Sequence, residues 1–327
     1  MNFNLTEVQR DARMMARRFT ENEIIPIADE CDHEDKYPDE VVDKMAELGL
    51  FGIILPQEYG GMGMDYISYA LIIEEIARGW MSMAGVLNSH LMLGLMIANH
   101  GTEEQKKKYI PPLAAGERRG ALGLTEAEAG SDTASMKSTA ARDGDDYVIN
   151  GNKMFITNAE KGNSFCVLAK TDTEINPPHR GISALIVDKG TPGFSVGRKI
   201  EKLGYKGLRT CELIFENCRV PKGVLIGDRE GQGLKYVLSA LEVGRINVAA
   251  RAVGVARAAF EDSIKYAQQR QQFGQPISQF QAIQFKLADV ATKIEAGRLL
   301  VMMAADKKNQ GERCDLEAGM AKLFTSE

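Results

Sequence analysis

Cysteine is scarce in this chain: Cys31, Cys166, Cys211, Cys218 and Cys314 are the only five in 327 residues, and no C-x-x-C pair occurs. An odd number without close spacing argues against a disulfide framework or a zinc site, and for reduced thiols in a cytoplasmic compartment, most of them small core residues. Histidine is scarcer still. His33, His90, His100 and His179 lie too far apart to suggest a local metal cluster, and each is expected at the surface or a helix end, with only His90 in an apolar segment. An excess of positive charge is missing too: acidic residues outnumber basic ones 45 to 40, and Lys106-Lys107-Lys108 is an isolated run, so nucleic acid is not an expected partner. The longest apolar run, Leu91 to Ala98, falls short of the roughly twenty residues of a membrane span, and charges appear before any secretion-signal core. Also missing are a strand–G-x-G-x-x-G–helix unit, a P-loop, an H-E-x-x-H pair and a nucleophile elbow, which excludes the common dinucleotide, nucleotide, metalloprotease and hydrolase signatures.

What is present is a change of periodicity, twice. From Thr6 to about Gly116 apolar residues recur at helical spacing, broken at Tyr37-Pro38 and at Leu55 to Gly63. Between Gly120 and Asp228 the runs become short, β-branched and aromatic, as in Tyr147-Val148-Ile149 and Ala184 to Val187, punctuated by Asp143-Gly144 and Asn150-Gly151. From Gly233 the helical spacing returns, with Leu234, Val237, Leu238 and Leu241 on one segment and Ile283, Leu287, Val290 and Ile294 on the next, separated by the turn Phe273 to Pro276. The expected organisation is an all-α domain over 1–118, an antiparallel β-barrel or sandwich over 119–230 and a helical bundle over 231–327. The bundle reads as incomplete, since its last segment is still helical in pattern at Glu327 and part of its apolar surface would lack cover.

Two threonine-bearing strings stand out in the β region, Gly123 to Asp132 (GLTEAEAGSD) and Phe155 to Asn158 (FITN). Each couples hydroxyls to small or flat neighbours, which suits holding a polar, planar ring by its edge and covering its face. The first has glycines and acids where a strand would have β-branched residues, so its amides can turn toward a ligand. By strand alternation Phe155 lies on the same face as Thr157, where its ring can lie against one whose edge the Thr157 hydroxyl reaches.

With Tyr59 to Asp65, Gly101 to Lys106, Leu124 to Asp132, Asn150 to Asn158, Leu241 to Arg245 and Arg270 to Gly274, the chain resembles the acyl-CoA dehydrogenase family in motif order and spacing along essentially its whole length. The resemblance implies an FAD enzyme, usually tetrameric, that desaturates an acyl-CoA thioester at its α,β bond and passes electrons to an electron-transferring flavoprotein. It implies that Leu122, Leu124, Thr125, Gly130 and Ser131 line the flavin, with Ser131 also next to acyl-CoA, and that Phe155, Ile156 and Thr157 complete the site. Phe155 stands where the family often has Trp. Leu241, Glu242 and Arg245 are implied along the acyl-CoA groove, and Arg270, Gln272, Phe273 and Gln281 on the FAD of a neighbouring subunit.

One role is unfilled. In most of the family the base is a Glu in a segment beyond the position matching Glu327, and in a minority it directly precedes the arginine, where this chain has Gly244. Glu242 is two residues earlier, turned by about 200 degrees around a helix, so no catalytic base is assigned within the chain. The expectation is a C-terminally truncated acyl-CoA dehydrogenase acting on a short or medium chain. Its rivals are an acyl-CoA oxidase or flavin monooxygenase of the same fold, and a non-catalytic flavin- or acyl-CoA-binding scaffold.

Overall fold

The computed structural model describes residues 4–327. In chain order come helices α1 (Glu7–Phe19), α2 (Ile25–His33), α3 (Asp39–Glu47), α4 (Tyr66–Gly79), α5 (Met81–His100) and α6 (Glu103–Ala114), then strands β1 (Gly120–Gly123), β2 (Thr139–Asp143), β3 (Asp146–Thr157), β4 (Ser164–Lys170), β5 (Ile182–Asp188), β6 (Phe194–Lys199) and β7 (Thr210–Pro221). Helix α7 (Gly233–Gln269), the short strands β8 (Gln271–Gln272) and β9 (Gln275–Pro276), α8 (Gln281–Asn309) and α9 (Asp315–Ser326) follow. A helical N-terminal part, a curled central sheet and a helical C-terminal part thus succeed one another as expected. Packing groups them into two compact units, residues 4–29, 65–84 and 245–327 in one, and 30–64 and 85–244 in the other.

In the first unit, local signals set the helix starts. The Gln9 N–H donates to Thr6 Oγ1 at 3.2 Å and the Thr6 N–H to Gln9 Oε1 at 3.0 Å, a reciprocal cap on α1 worth about 1 kcal/mol. Asp65 caps α4 by accepting from the Ser68 N–H at 2.9 Å, and Gln9 Nε2 donates to it at 3.2 Å. Ala12, Ala16 and Phe19 form the buried stripe of α1. Helix α4 is buried from Ser68 to Ala77, and this includes Glu74 and Glu75, only 2% and 0% exposed.

Buried carboxylates require donors. Arg257 of α7 donates to Glu74 at 2.6 Å and to the two Glu75 oxygens at 2.9 and 2.5 Å. Arg298 of α8 brackets Glu74 at 2.9 and 3.0 Å, and Arg13 of α1 donates to Glu75 at 2.8 Å. Burial pushes the Glu75 carboxyl up, but the bonds from Arg257 and Arg13 outweigh it and hold its pKa below the ordinary carboxylate value. Four helices are thereby joined through two carboxylates.

A groove of about 730 Å³ in this unit is lined by Val253 of α7, Val290, Ile294 and Gly297 of α8, and Leu323 and Phe324 of α9. Leu323 and Phe324 remain exposed.

The second unit is built on a seven-stranded sheet. It is mixed, not antiparallel throughout as expected: β1 runs parallel to β4 from Gly120↔Ser164 to Gly123↔Val167, and β2 touches the same edge of β4 at Thr139↔Lys170. The intervening loop and the β2–β3 hairpin are long enough to bring the chain back in the same direction. Asp143-Gly144 makes the hairpin turn, with Gly144 at φ +64°. Asn150-Gly151, read as a second break, instead lies inside β3. There β7 carries an extra residue, so that the register passes from Ile149↔Cys218 to Gly151↔Phe215. Gly151 sits at φ +136°, and a Cβ on it would stand 2.4 Å from Ser138 Oγ.

Helix α5 is longer than its apolar run suggested. Met81–His100 is long and apolar enough to cross a membrane by length and composition, an 18-residue stretch of it having a mean hydropathy of 1.4, but 83% of that stretch is buried inside the protein, as in a core helix. His90 lies in its middle, fully buried rather than at a surface or helix end. Its Nδ1 accepts from the Gly120 N–H at 3.0 Å, which leaves the proton on Nε2 to donate to Phe51 O at 3.1 Å. Burial pushes its pKa down to about 4, so the ring is neutral and pins β1 to the 50–52 turn.

Candidate functional site

The two threonine strings meet in the second unit. β1 delivers the chain to Leu124, and the Met154 N–H of β3 donates to Thr125 O at 2.8 Å, which joins the first string to the second. Glu126 and Ala129 then close a tight turn through mutual main-chain bonds of 3.0 and 3.3 Å. Beneath the loop lies a buried ion pair: Lys153 Nζ donates to Glu126 Oε1 at 2.6 Å and to Leu124 O at 3.4 Å. Both side chains are almost completely inaccessible, 0% and 5% exposed. The Glu126 carboxylate also accepts from the Lys137 N–H at 2.6 Å and the Ser138 N–H at 3.1 Å. Burial would raise the Glu126 carboxyl, but these donors outweigh it and keep its pKa low.

The sequence reading left Glu126 and Lys153 without a role. A signal was available: Tyr147, Ile149, Gly151 and Lys153 share one strand face by period two, and Tyr147 and Ile149 are core residues, so Lys153 must point inward and find an acid there.

Alternation fails one residue later. The β3–β7 register jumps from Lys153↔Leu213 to Ile156↔Cys211, so Met154 and Phe155 stand opposite the single residue Glu212. Phe155 is the bulged residue, with φ +60°, and its ring is 59% exposed. The shared face expected for Phe155 and Thr157 is therefore not a product of strand alternation. The bulge is what turns the aromatic ring outward beside the half-buried Thr157. Ile156 buries its side chain, so only its main chain is available to a ligand.

The remaining expected residues divide between the units. Leu122, Leu124 and Thr125 are partly exposed, Gly130 and Ser131 fully so. Leu241 is partly exposed on α7, while Glu242 is buried and already engaged with a partner. In the first unit, Arg245 is half-buried. Arg270 and Gln272 are exposed around the β8–β9 turn, where Phe273 and Gly274 take φ +52° and +75°, the two left-handed positions of a two-residue hairpin. Phe273 is 93% exposed and meets Phe280 edge to face at 6.1 Å. Gln281 is exposed at the start of α8.

These groups fit a flavin. Among the described residues, the amide N–H groups of Leu124, Thr125, Gly130 and Ser131 and the hydroxyls of Thr125, Thr157 and Ser131 donate to no protein acceptor. With the exposed Phe155 ring, the strings offer several free donors and a flat cover to a planar, acceptor-rich ring. No group of three or more His, Cys, Asp or Glu able to hold a metal occurs among the described residues. The five cysteines are all free and buried.

Three domain families match the chain: "Acyl-CoA dehydrogenase, N-terminal domain" over residues 6–117, "middle domain" over 121–218 and "C-terminal domain" over 231–327. An acyl-CoA dehydrogenase of Bacillus subtilis (strain 168) is 46% identical over 325 residues, covering 99% of this chain and 85% of that protein. Among solved structures, butyryl-CoA dehydrogenase from Megasphaera elsdenii matches with a TM-score of 0.96 at 40% identity, covering 100% of this chain and 86% of that one. A chain from work on the electron transferring flavoprotein of Acidaminococcus fermentans gives 0.96 at 45% identity, with coverage of 100% and 85%. An FAD complex of PigA gives 0.94 at 31% identity, with coverage of 100% and 85%.

Proposed function

The chain belongs to the acyl-CoA dehydrogenase family of oxidoreductases and takes FAD as its cofactor, and from that premise we propose that it introduces an α,β double bond into a short acyl-CoA thioester and delivers the electrons to an electron-transferring flavoprotein. The observation that carries the reading is the junction of the two strings. Free amides at Leu124 and Thr125, free hydroxyls at Thr125 and Thr157 and the exposed Phe155 ring belong to two segments that the Met154 N–H to Thr125 O bond ties together. Bound FAD supplies the acceptor for the β-hydrogen, as hydride.

In this reading the amides of Leu124 and Thr125 hold the flavin's polar edge, with Leu122 and Gly130 alongside, Phe155 covers its face, the Ile156 main chain and the Thr157 hydroxyl bond to its rim, and Ser131 stands between flavin and thioester. Leu241, Glu242 and Arg245 line the acyl-CoA groove. Arg270, Gln272, Phe273 and Gln281, exposed around the β8–β9 turn and the start of α8, reach the FAD of another subunit in a homo-oligomer, and the apolar side chains left exposed on α8 and α9, such as Phe285 and Leu323, accord with such an assembly. The buried, free cysteines accord with a cytoplasmic location. A short acyl chain is supported by the likeness to a butyryl-CoA dehydrogenase.

The α-proton passes to a carboxylate base, a role that neither Glu126 nor Glu242 fills. Glu126 is committed to Lys153, and Glu242 is buried and engaged. A visible spectrum of the FAD-loaded protein, followed by anaerobic addition of butyryl-CoA, tests the proposal. Bleaching of the oxidised-flavin bands is the expected outcome. Loaded flavin that stays oxidised would overturn the desaturase reading and leave a flavin- and acyl-CoA-binding protein in its place.

A further inference from the structure

We propose that the buried Glu126–Lys153 pair is the positioning device of the flavin site: it sets where the amides of Leu124 and Thr125 stand relative to Phe155 and Thr157. The inference rests on placing the flavin at the two threonine strings. Three observations carry it. First, Lys153 lies two residues before Phe155 on β3, and its ammonium is bonded to both Leu124 O and Glu126 Oε1, so one side chain joins the second string to the first. Second, Glu126 accepts from the Lys137 and Ser138 amides, so the return of the loop into β2 hangs on the same carboxylate. Third, the lysine stem runs directly beneath the end of β1, its Cγ 3.3 Å from where a Cβ on Gly123 would be, so any sideways shift of the ammonium is transmitted to the start of the loop.

A buried pair whose only purpose was stability would be an odd choice. Replacing such a pair by apolar side chains of similar volume is often neutral or stabilising, because the desolvation of both charges is avoided. Apolar side chains would not, however, bond Leu124 O or receive the Lys137 and Ser138 amides. The charges serve the loop, whose amides must be held within a fraction of an ångström to meet a ring edge. Neither residue touches the reacting atoms, and both act through Leu124 and Thr125.

The test uses the full chain with the double substitution Glu126→Leu/Lys153→Met, with three readouts: thermal midpoint without FAD, FAD affinity by flavin fluorescence, and flavin midpoint potential. The expected result is a variant that still unfolds cooperatively, with FAD affinity reduced by about tenfold to a hundredfold, the range that loss of supporting contacts produces at metal sites, and a shifted potential. Glu126→Gln, which keeps the volume and one acceptor oxygen, is the second arm in case the double variant does not fold, and the expected loss of affinity there is smaller and in the same direction. Parent-like FAD affinity and potential in a folded variant would overturn the inference. Thr125→Val and Thr157→Val are measured alongside. If they alter affinity or potential and the pair variants do not, the positioning role alone fails; if none of the four does, the placement of the flavin on these strings fails with it.

Discussion

Both compact units bury ionised side chains, and they do so in different ways. In the first, three arginines from α1, α7 and α8 converge on Glu74 and Glu75 of α4, and the hydrogen bonds described there run from side chain to side chain between helices. In the second, one lysine meets one glutamate, and the spare capacity of both is given to the main chain of a loop. The flat, forked guanidinium bridges several acids at once, which suits tying rigid helices together. An ammonium on a slender stem fits under a strand and leaves the space above it to the loop. The arginine cluster is thus a matter of cohesion and the lysine pair a matter of aim, and variants in the two should separate along that line.

The largest effect is expected from Arg257→Met. Glu74 and Glu75 would stay buried with fewer donors, and removing one partner of a buried ion pair costs about 3–5 kcal/mol. Urea unfolding should register that loss, whereas the folded fraction should bind FAD as the parent does. A change in FAD affinity would erase the distinction between the units.

His90 sharpens the comparison because it pins the second unit without charge. Its folded pKa of about 4 lies below the ordinary 6.5, so the unfolded chain takes up the proton first as the pH falls. The associated stability is complete above about pH 6.5 and is lost toward pH 4, by about 3 kcal/mol in total. The difference in unfolding free energy between pH 7 and pH 4.5 should shrink in His90→Asn, and an unchanged difference would remove His90 from this role.

Smaller again is Thr157→Val, which should slow flavin reduction about tenfold, or about 1.4 kcal/mol, with FAD still bound in stopped-flow mixing. Complete loss of FAD in that variant would count against a bond from this hydroxyl to the flavin rim. Last comes Thr6→Ala, which removes the cap of α1 and should lower unfolding free energy by about 1 kcal/mol while leaving flavin binding untouched. An altered flavin spectrum in this variant would contradict the separation.

Much of this arrangement is legible in the amino-acid order. The two changes of periodicity mark the helix–strand–helix succession, and Asp143-Gly144 and Phe273-Gly274 announce the turns they make. The motif strings identify the loop and strand that meet. What escapes is non-local. The parallel pairing of β1 with β4 depends on where a long connection returns, which short-range patterns do not encode. Asn150-Gly151 looks like a turn because its residue types are those of a turn, yet here they serve a bulge and a close approach to Ser138. His90 looked peripheral because its two partners, Phe51 O and the Gly120 N–H, are 39 and 30 residues away. The roles of Glu126 and Lys153 required the strand face to be followed to its end.

The bulge at Phe155 has a consequence for how this scaffold can change over generations. Because that residue stands outside the ladder and its ring is largely in solvent, its identity is only weakly tied to the sheet's packing. A larger, smaller or differently polar ring can be tried there without reshaping the sheet, whereas the lysine two positions earlier is bonded to Glu126 and Leu124 O. Codons two positions apart thus carry opposite evolutionary freedoms, and a mutational library aimed at retuning the proposed flavin cover would explore most at position 155 and least at 153.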